Sequence, residues 1–297
     1  MSRRHTVGRA LSRWLCLLLR RAVPIPVTIA PALWQRVIER YPFLACLSAG
    51  DQARLKRIAQ HFLARKTFSG AHGMAVTDFM AVTIAAQACL PLLHLGPDGR
   101  PEAALRWYDD FVGIVLHPAD ALARRTAVDA AGVVHHYAEA LAGEAMHRGP
   151  VMLSWPAVER AGACVDNGLD DSAPGYAVVI HEFIHKIDMR GGLAGGAPPL
   201  PRGFMGARDA RAAARRWRAI WAPAYEQFCE QVIRAERFGA PRPWLDAYAA
   251  TSPAEFFAVA CEAHFVHPER FAAEFPPLAV ALRAFFRQEE AAAPHPG

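Results

Sequence analysis

The sequence has no C-x-x-C pair, and its six cysteines, at positions 16, 46, 89, 164, 229 and 261, are scattered through 297 residues. That scatter shows no thiolate metal cluster and offers no disulfide framework. Cys46 and Cys89 sit in apolar stretches, the pattern of reduced thiols in a cytoplasmic protein. Long apolar runs are missing as well. Near the amino terminus Trp14–Leu19 is an apolar run of six, short of a membrane span and of a signal h-region, and no small-residue cleavage site follows it. Internal repeats are absent. Acidic residues are absent from residues 1–30, which hold six of the 33 basic residues. The remaining 27 basic residues face 28 acidic ones, so the formal charge of +5 belongs to this arm. The body of the chain makes no compositional case for direct nucleic-acid binding. The arm reads as a solvated or loosely docked basic segment, with a membrane-surface helix and then a signal segment as the lesser alternatives.

What is present is enough apolar sequence, 53% of residues, to bury a full core. Pro24, Pro26 and Pro31 predict an extended linker over residues 22–34. The division expected is therefore a basic arm and Pro-rich linker over 1–35, a domain of two packed lobes over 36–288, and a disordered tail over 289–297. Helices are expected from Asp51, as N-cap, to Lys66, over Asp78–Leu90 after Thr77, over Arg208–Phe238 with a break or bend at Pro223, and over Ser252–Phe265. A further helical stretch, Glu269–Gln288, is interrupted at Pro276–Pro277. Short strands are expected at Phe111–Leu116, Val133–Tyr137 and Gly149–Trp155. The last of these could offer an open edge to an extended peptide or be an ordinary sheet strand.

Residues 175–187 carry the chemistry. They contain H-E-x-x-H as His181-Glu182-Phe183-Ile184-His185. Residues four apart on a helix share a face, so two imidazoles converge on one point, as two zinc ligands do. Glu182 lies about 100° round the helix, where a carboxylate can take a proton from an activated water. Val178, Val179, Ile180, Phe183, Ile184 and Ile187 surround the polar trio, which predicts a buried helix in which a metal compensates the buried polar groups. Asp188 could accept a ring N–H from His185 or lie at the surface of the helix end. The loop Gly191–Pro201 ends the helix, either as a lid over the cleft or as a plain connector.

A metzincin would place Gly three and His six residues after the second His; here those positions hold Asp188 and Gly191, so the third ligand lies elsewhere. Candidates are Glu226, Glu230, Glu236, Glu255, Glu262, His264 and His267. Glu255 and Glu262 share one face of one helix, and spacing does not separate them. Ser252-Pro253-Ala254-Glu255 also fits a capping box, in which Glu255 would reach back to the N-cap amide. His264 and His267 read as a surface pair.

The segments G-Y-A-V-V-I-H-E-F-I-H-K-I-D and D-A-Y-A-A-T-S-P-A-E-F-F-A-V resemble the MtfA family (Mlc titration factor A), bacterial zinc-dependent peptidases. The resemblance runs over roughly residues 40–287. It implies an α+β, mostly helical zincin-like metallopeptidase fold with a small β-sheet beside the active-site helix. It also implies a gluzincin site similar to that of the anthrax lethal factor catalytic domain. By that resemblance His181, His185 and Glu255 match the ligands of one Zn2+ per chain, Glu182 the catalytic base, and Tyr248 a tyrosine beside the reacting carbonyl. Glu262 matches a family glutamate, read here as an outer partner of the ligands. Ile184 stands where a smaller residue is usual, and residues 1–30 have no recognised counterpart. The implied function is aminopeptidase-like hydrolysis of peptides in the cytoplasm, with possible control of sugar phosphotransferase genes through capture of an Mlc-like repressor. The alternative is a repressor-binding protein whose peptidase activity is secondary.

Overall fold

Five prolines open helices instead of breaking them. Pro31, Pro42, Pro253, Pro268 and Pro276 each occupy a first helical position, where the missing N–H would have had no intrahelical partner. The computed structural model describes residues 25–128, 134–161 and 176–288. In chain order the helices and strands are α1 (Pro31–Arg40), α2 (Pro42–Ala45), α3 (Ala49–Leu63), β1 (Thr67–Gly70), α4 (Asp78–Cys89), β2 (Gly113–His117), β3 (Ala121–Val128), β4 (Val134–Leu141), β5 (Gly143–Ala145), β6 (Val151–Ser154) and α5 (Trp155–Arg160). They continue as α6 (Val178–Asp188), α7 (Ala210–Phe238), α8 (Pro253–Val266), α9 (Pro268–Glu274) and α10 (Pro276–Phe286). The fold is α+β and mostly helical, as expected.

The sheet runs β1-β2-β6-β5, with β1, β2 and β6 parallel and β5 antiparallel on β6; β3 and β4 pair as a separate antiparallel ribbon. Strand β6 is therefore internal, held by β2 on one side and β5 on the other. Of the two readings of Gly149–Trp155, the ordinary sheet strand holds, and the ends of the sheet order are β1 and β5. Helix α6 packs against β5 and β6 on one side and against α4 and α8 on the others, so it lies in the middle of the molecule. Around Phe183 a cluster of Phe62, Tyr108 and Phe111 closes with ring centroids 5.0–5.8 Å from it. On the far side Trp217 and Trp221 stack at 4.8 Å and meet Phe257 edge-on.

Three local expectations are corrected. The linker predicted over 22–34 gives way at Pro31 to α1, because Ile29, Trp34, Val37 and Ile38 all reach the core. Ser48, not Asp51, caps α3: its hydroxyl accepts the Asp51 N–H at 3.1 Å, which places Asp51 inside the first turn. Of the break or bend expected at Pro223, the break is absent: α7 is a single helix of 29 residues. The basic residues 1–24 and the tail 289–297 lie outside the described residues. Cys46, Cys89, Cys229 and Cys261 are free thiols. Among the described residues no helix is long and apolar enough to cross a membrane.

Candidate metal centre

Every residue of α6 is buried. Its polar residues divide between two sides: His181 and His185 face α8, while Glu182 and Lys186 turn toward β5 and the turn that follows it. His181 and His185 bring their Nε2 atoms to 3.1 Å of each other, with the rings edge to face. Glu255, on the first turn of α8, places Oε2 3.0 Å from His181 Nε2 and 3.2 Å from His185 Nε2. The three ligand atoms lie within 4.8 Å of one another. Two imidazole nitrogens and a carboxylate oxygen converging without any other side chain between them are a donor set that suits a divalent metal such as zinc.

The capping box and the metal group turn out not to compete. The Ser252 hydroxyl accepts the Glu255 N–H at 3.2 Å and so caps α8 by itself, which leaves the Glu255 carboxylate free to point at the histidines. Glu262, two turns along the same face, sits behind His181: Oε1 is 2.6 Å from Nδ1, and Oε2 accepts the Ala177 N–H at 2.6 Å. That bond turns the Nε2 edge of His181 toward Glu255 and His185.

The electrostatics follow from burial and close pairing. Burial opposes a charge on His181, yet Glu262, Glu255 and Glu182 together hold its pKa well above the ordinary imidazole value. Burial likewise pushes Glu255 up, but its bonds to His181 and His185 win and hold it well below the usual carboxylate range. Glu182, 5% exposed, is raised, chiefly by desolvation and secondarily by Glu255 and Glu262, against the pull of the two histidines.

Tyr248 stands at the rim, on the turn Ala247–Thr251, with its ring centroid 6.2 Å from that of His181. It is 40% exposed and so is not a core tyrosine. Asp188 does not serve His185. Its carboxylate accepts the N–H groups of Gly195, Gly196 and Ala197 at 2.7–3.0 Å, and His185 Nδ1 has no hydrogen-bond partner among the described residues. The glycine loop is thus a tied connector, further held where Trp217 Nε1–H donates to the Gly196 carbonyl at 2.8 Å. His264 is buried, not at the surface, with Nε2 2.6 Å from Gln288 Oε1.

Two residues escaped the reading of the sequence. Lys186, fully buried beside His185, pairs with Asp110 at 2.9 Å and donates to the carbonyls of Met146 and Gly149. Gly143 in β5 abuts the Glu182 side chain. A lysine inside an otherwise apolar helix face was a signal available in the sequence; Gly143 carried none.

The sequence profile of the glucose-regulated metallo-peptidase M90 family matches residues 19–287. The chain belongs to this family. The match reaches back beyond residue 40, where the resemblance was placed, in keeping with the helix at Pro31. Proteins called Mlc titration factor A are similar along most of their length. That of Salmonella arizonae is 32% identical over 258 residues, covering 86% of this chain and 91% of the relative. Those of Salmonella gallinarum and Salmonella typhi are 32% identical over 249 residues, covering 84% of this chain and 83% of each relative. Membership makes the chain a metallopeptidase-family protein, and His181, His185 and Glu255 form its candidate metal-binding triad.

Proposed function

We propose that the chain is a zinc-dependent peptidase, aminopeptidase-like in its action on peptides, with His181, His185 and Glu255 as ligands of one zinc ion, Glu182 as base and Tyr248 as oxyanion donor. The observation that carries this reading is the convergence of three ligand atoms on one point with the Glu182 carboxylate on the adjoining face of the same helix. Zinc, when bound, supplies Lewis acidity toward water and carbonyl oxygen. Glu182 takes the proton of the attacking water and delivers it to the leaving amine, a role to which a buried carboxyl with a raised pKa is suited. Tyr248 donates its O–H to the developing oxyanion from the rim. Glu262 fixes the orientation of His181. Strand β5, at the end of the sheet and beside Glu182, offers backbone N–H and C=O groups along which an extended peptide can lie.

In this reading the metallopeptidase domain, drawn at 36–288 from the sequence, begins earlier, with α1 at Pro31, and the basic arm and the tail lie outside it. The scattered free thiols support a cytoplasmic location. The test is a panel of aminoacyl and peptidyl chromogenic amides: Glu182→Gln should retain zinc and lose cleavage. A second reading rests on the relatives' name, which refers to Mlc. In it the chain captures an Mlc-like repressor, and capture should survive Glu182→Gln.

A further inference from the structure

We propose that Gly143 is a positioning residue for Glu182: the side chain it lacks is the space in which the Glu182 carboxylate sits. The proposal rests on the reading of Glu182 as the general base. A Cβ built on Gly143 would lie 2.6 Å from Glu182 Oε1, 2.7 Å from Cγ and 2.9 Å from Cδ. Those distances are shorter than non-bonded carbon contacts allow, so any side chain here displaces either the strand or the carboxylate.

Glycine at this place is not explained by backbone conformation. Gly143 is absent from the glycines with positive φ, and it pairs with Leu153 in a regular antiparallel register. Glycine weakens a strand interior and marks a close approach when nothing else requires it. What approaches here is the group proposed to move the proton.

The strand is not free to retreat. Ser154 N–H donates to the Ala142 carbonyl at 2.8 Å, and Met146 N–H donates to the Pro150 carbonyl at 3.2 Å. Beyond the strand, Lys186 Nζ donates to the carbonyls of Met146 at 2.8 Å and Gly149 at 3.2 Å. Lys186 is itself fully buried and paired with Asp110. The helix that carries Glu182 therefore also clamps the turn that follows β5. A methyl group at position 143 meets a fixed strand on one side and a rotatable carboxylate on the other, and the carboxylate yields.

The experiment compares wild type, Gly143→Ala, Glu182→Gln and the double variant. Zinc content, melting temperature, and kcat and KM on an aminoacyl p-nitroanilide are measured, together with a crystal structure of Gly143→Ala. Gly143→Ala should keep its zinc and its melting temperature, keep KM, and lose kcat by about 10²-fold, within the range that a positioned base supplies. The double variant should fall no further than Glu182→Gln, because the two changes remove one function. The crystal structure should show the Glu182 carboxylate turned away from position 143. Wild-type kcat in Gly143→Ala, beside an inactive Glu182→Gln, would overturn the proposal while leaving the base in place. Loss of zinc or fold in Gly143→Ala, or losses that multiply in the double variant, would make Gly143 a structural residue and overturn it too. Wild-type turnover by Glu182→Gln would be a failure of the base assignment itself.

Discussion

The roles proposed for Glu182 and Glu262 differ, and single substitutions separate them. Glu182→Gln keeps the shape of the side chain and removes its basicity. It should retain zinc and melting temperature while kcat falls about 10²- to 10⁴-fold; near-normal turnover would place the chemistry on another residue. Glu262→Gln keeps a hydrogen bond to His181 but removes the charge behind it. Metal should stay and activity should drop about 10- to 100-fold, as for other outer partners of metal ligands. Zinc lost from Glu262→Gln would make Glu262 a ligand. The pair of histidines and the Glu182 carboxylate beside them were legible as neighbours because helical spacing alone puts them together. Glu255 and Glu262 were not separable by spacing, since seven residues return to the same face. The decision lies in how far along α8 the axis of α6 crosses, a long-range property. Asp188 misled for a related reason: its partners are three amides of a loop that folds back on it, and neither end of that contact is visible in sequence.

At the scale of elements, the glycine loop and α8 carry distinct predictions. Asp188 satisfies three backbone N–H groups that would otherwise be left without acceptors. Asp188→Ala should cost about 3 kcal/mol of stability and open residues 191–197 to proteolysis, which limited digestion would show. In α8, burial holds the His264 imidazole neutral down to about 4, from 6.5, with the Gln288 bond opposing and Arg283 assisting. Above pH 6.5 the ring is neutral folded or unfolded. Between 6.5 and about 4 only the unfolded chain takes up the proton, so stability falls as pH drops through that window, by about 3 kcal/mol in all. His264→Phe should remove that part of the slope in urea midpoints measured from pH 7 to pH 4; an unchanged slope would place the titration elsewhere. The long helices were readable from apolar periodicity and caps. The short strands β1 and β5 were not, because three or four residues with Gly and Ser carry no period, and they form only where β2 and β6 provide partners.

For the whole molecule the question is where the packed body starts. Ile29 is 3% and Trp34 7% exposed, and the Val27 N–H donates to the Gln60 carbonyl. Removing residues 1–24, which hold charge but no motif residue, should leave cleavage and melting temperature intact. Removing residues 1–34 should destabilise by about 5 kcal/mol, the scale of losing a core tryptophan and an isoleucine. Equal melting temperatures for the two truncations would mean that residues 25–34 add nothing to the core. Proline content misled here, since a proline reads as linker until the residues after it are seen to pack.

The central claim is that three side chains from two helices hold one zinc. Elemental analysis of purified wild type and Glu255→Ala tests it most directly. The account predicts about one zinc per chain in the wild type and little in the variant, because a three-ligand site has no redundancy. A capping role alone would cost Glu255→Ala about 1 kcal/mol of stability and leave the metal in place. Full zinc retention by Glu255→Ala would contradict the account.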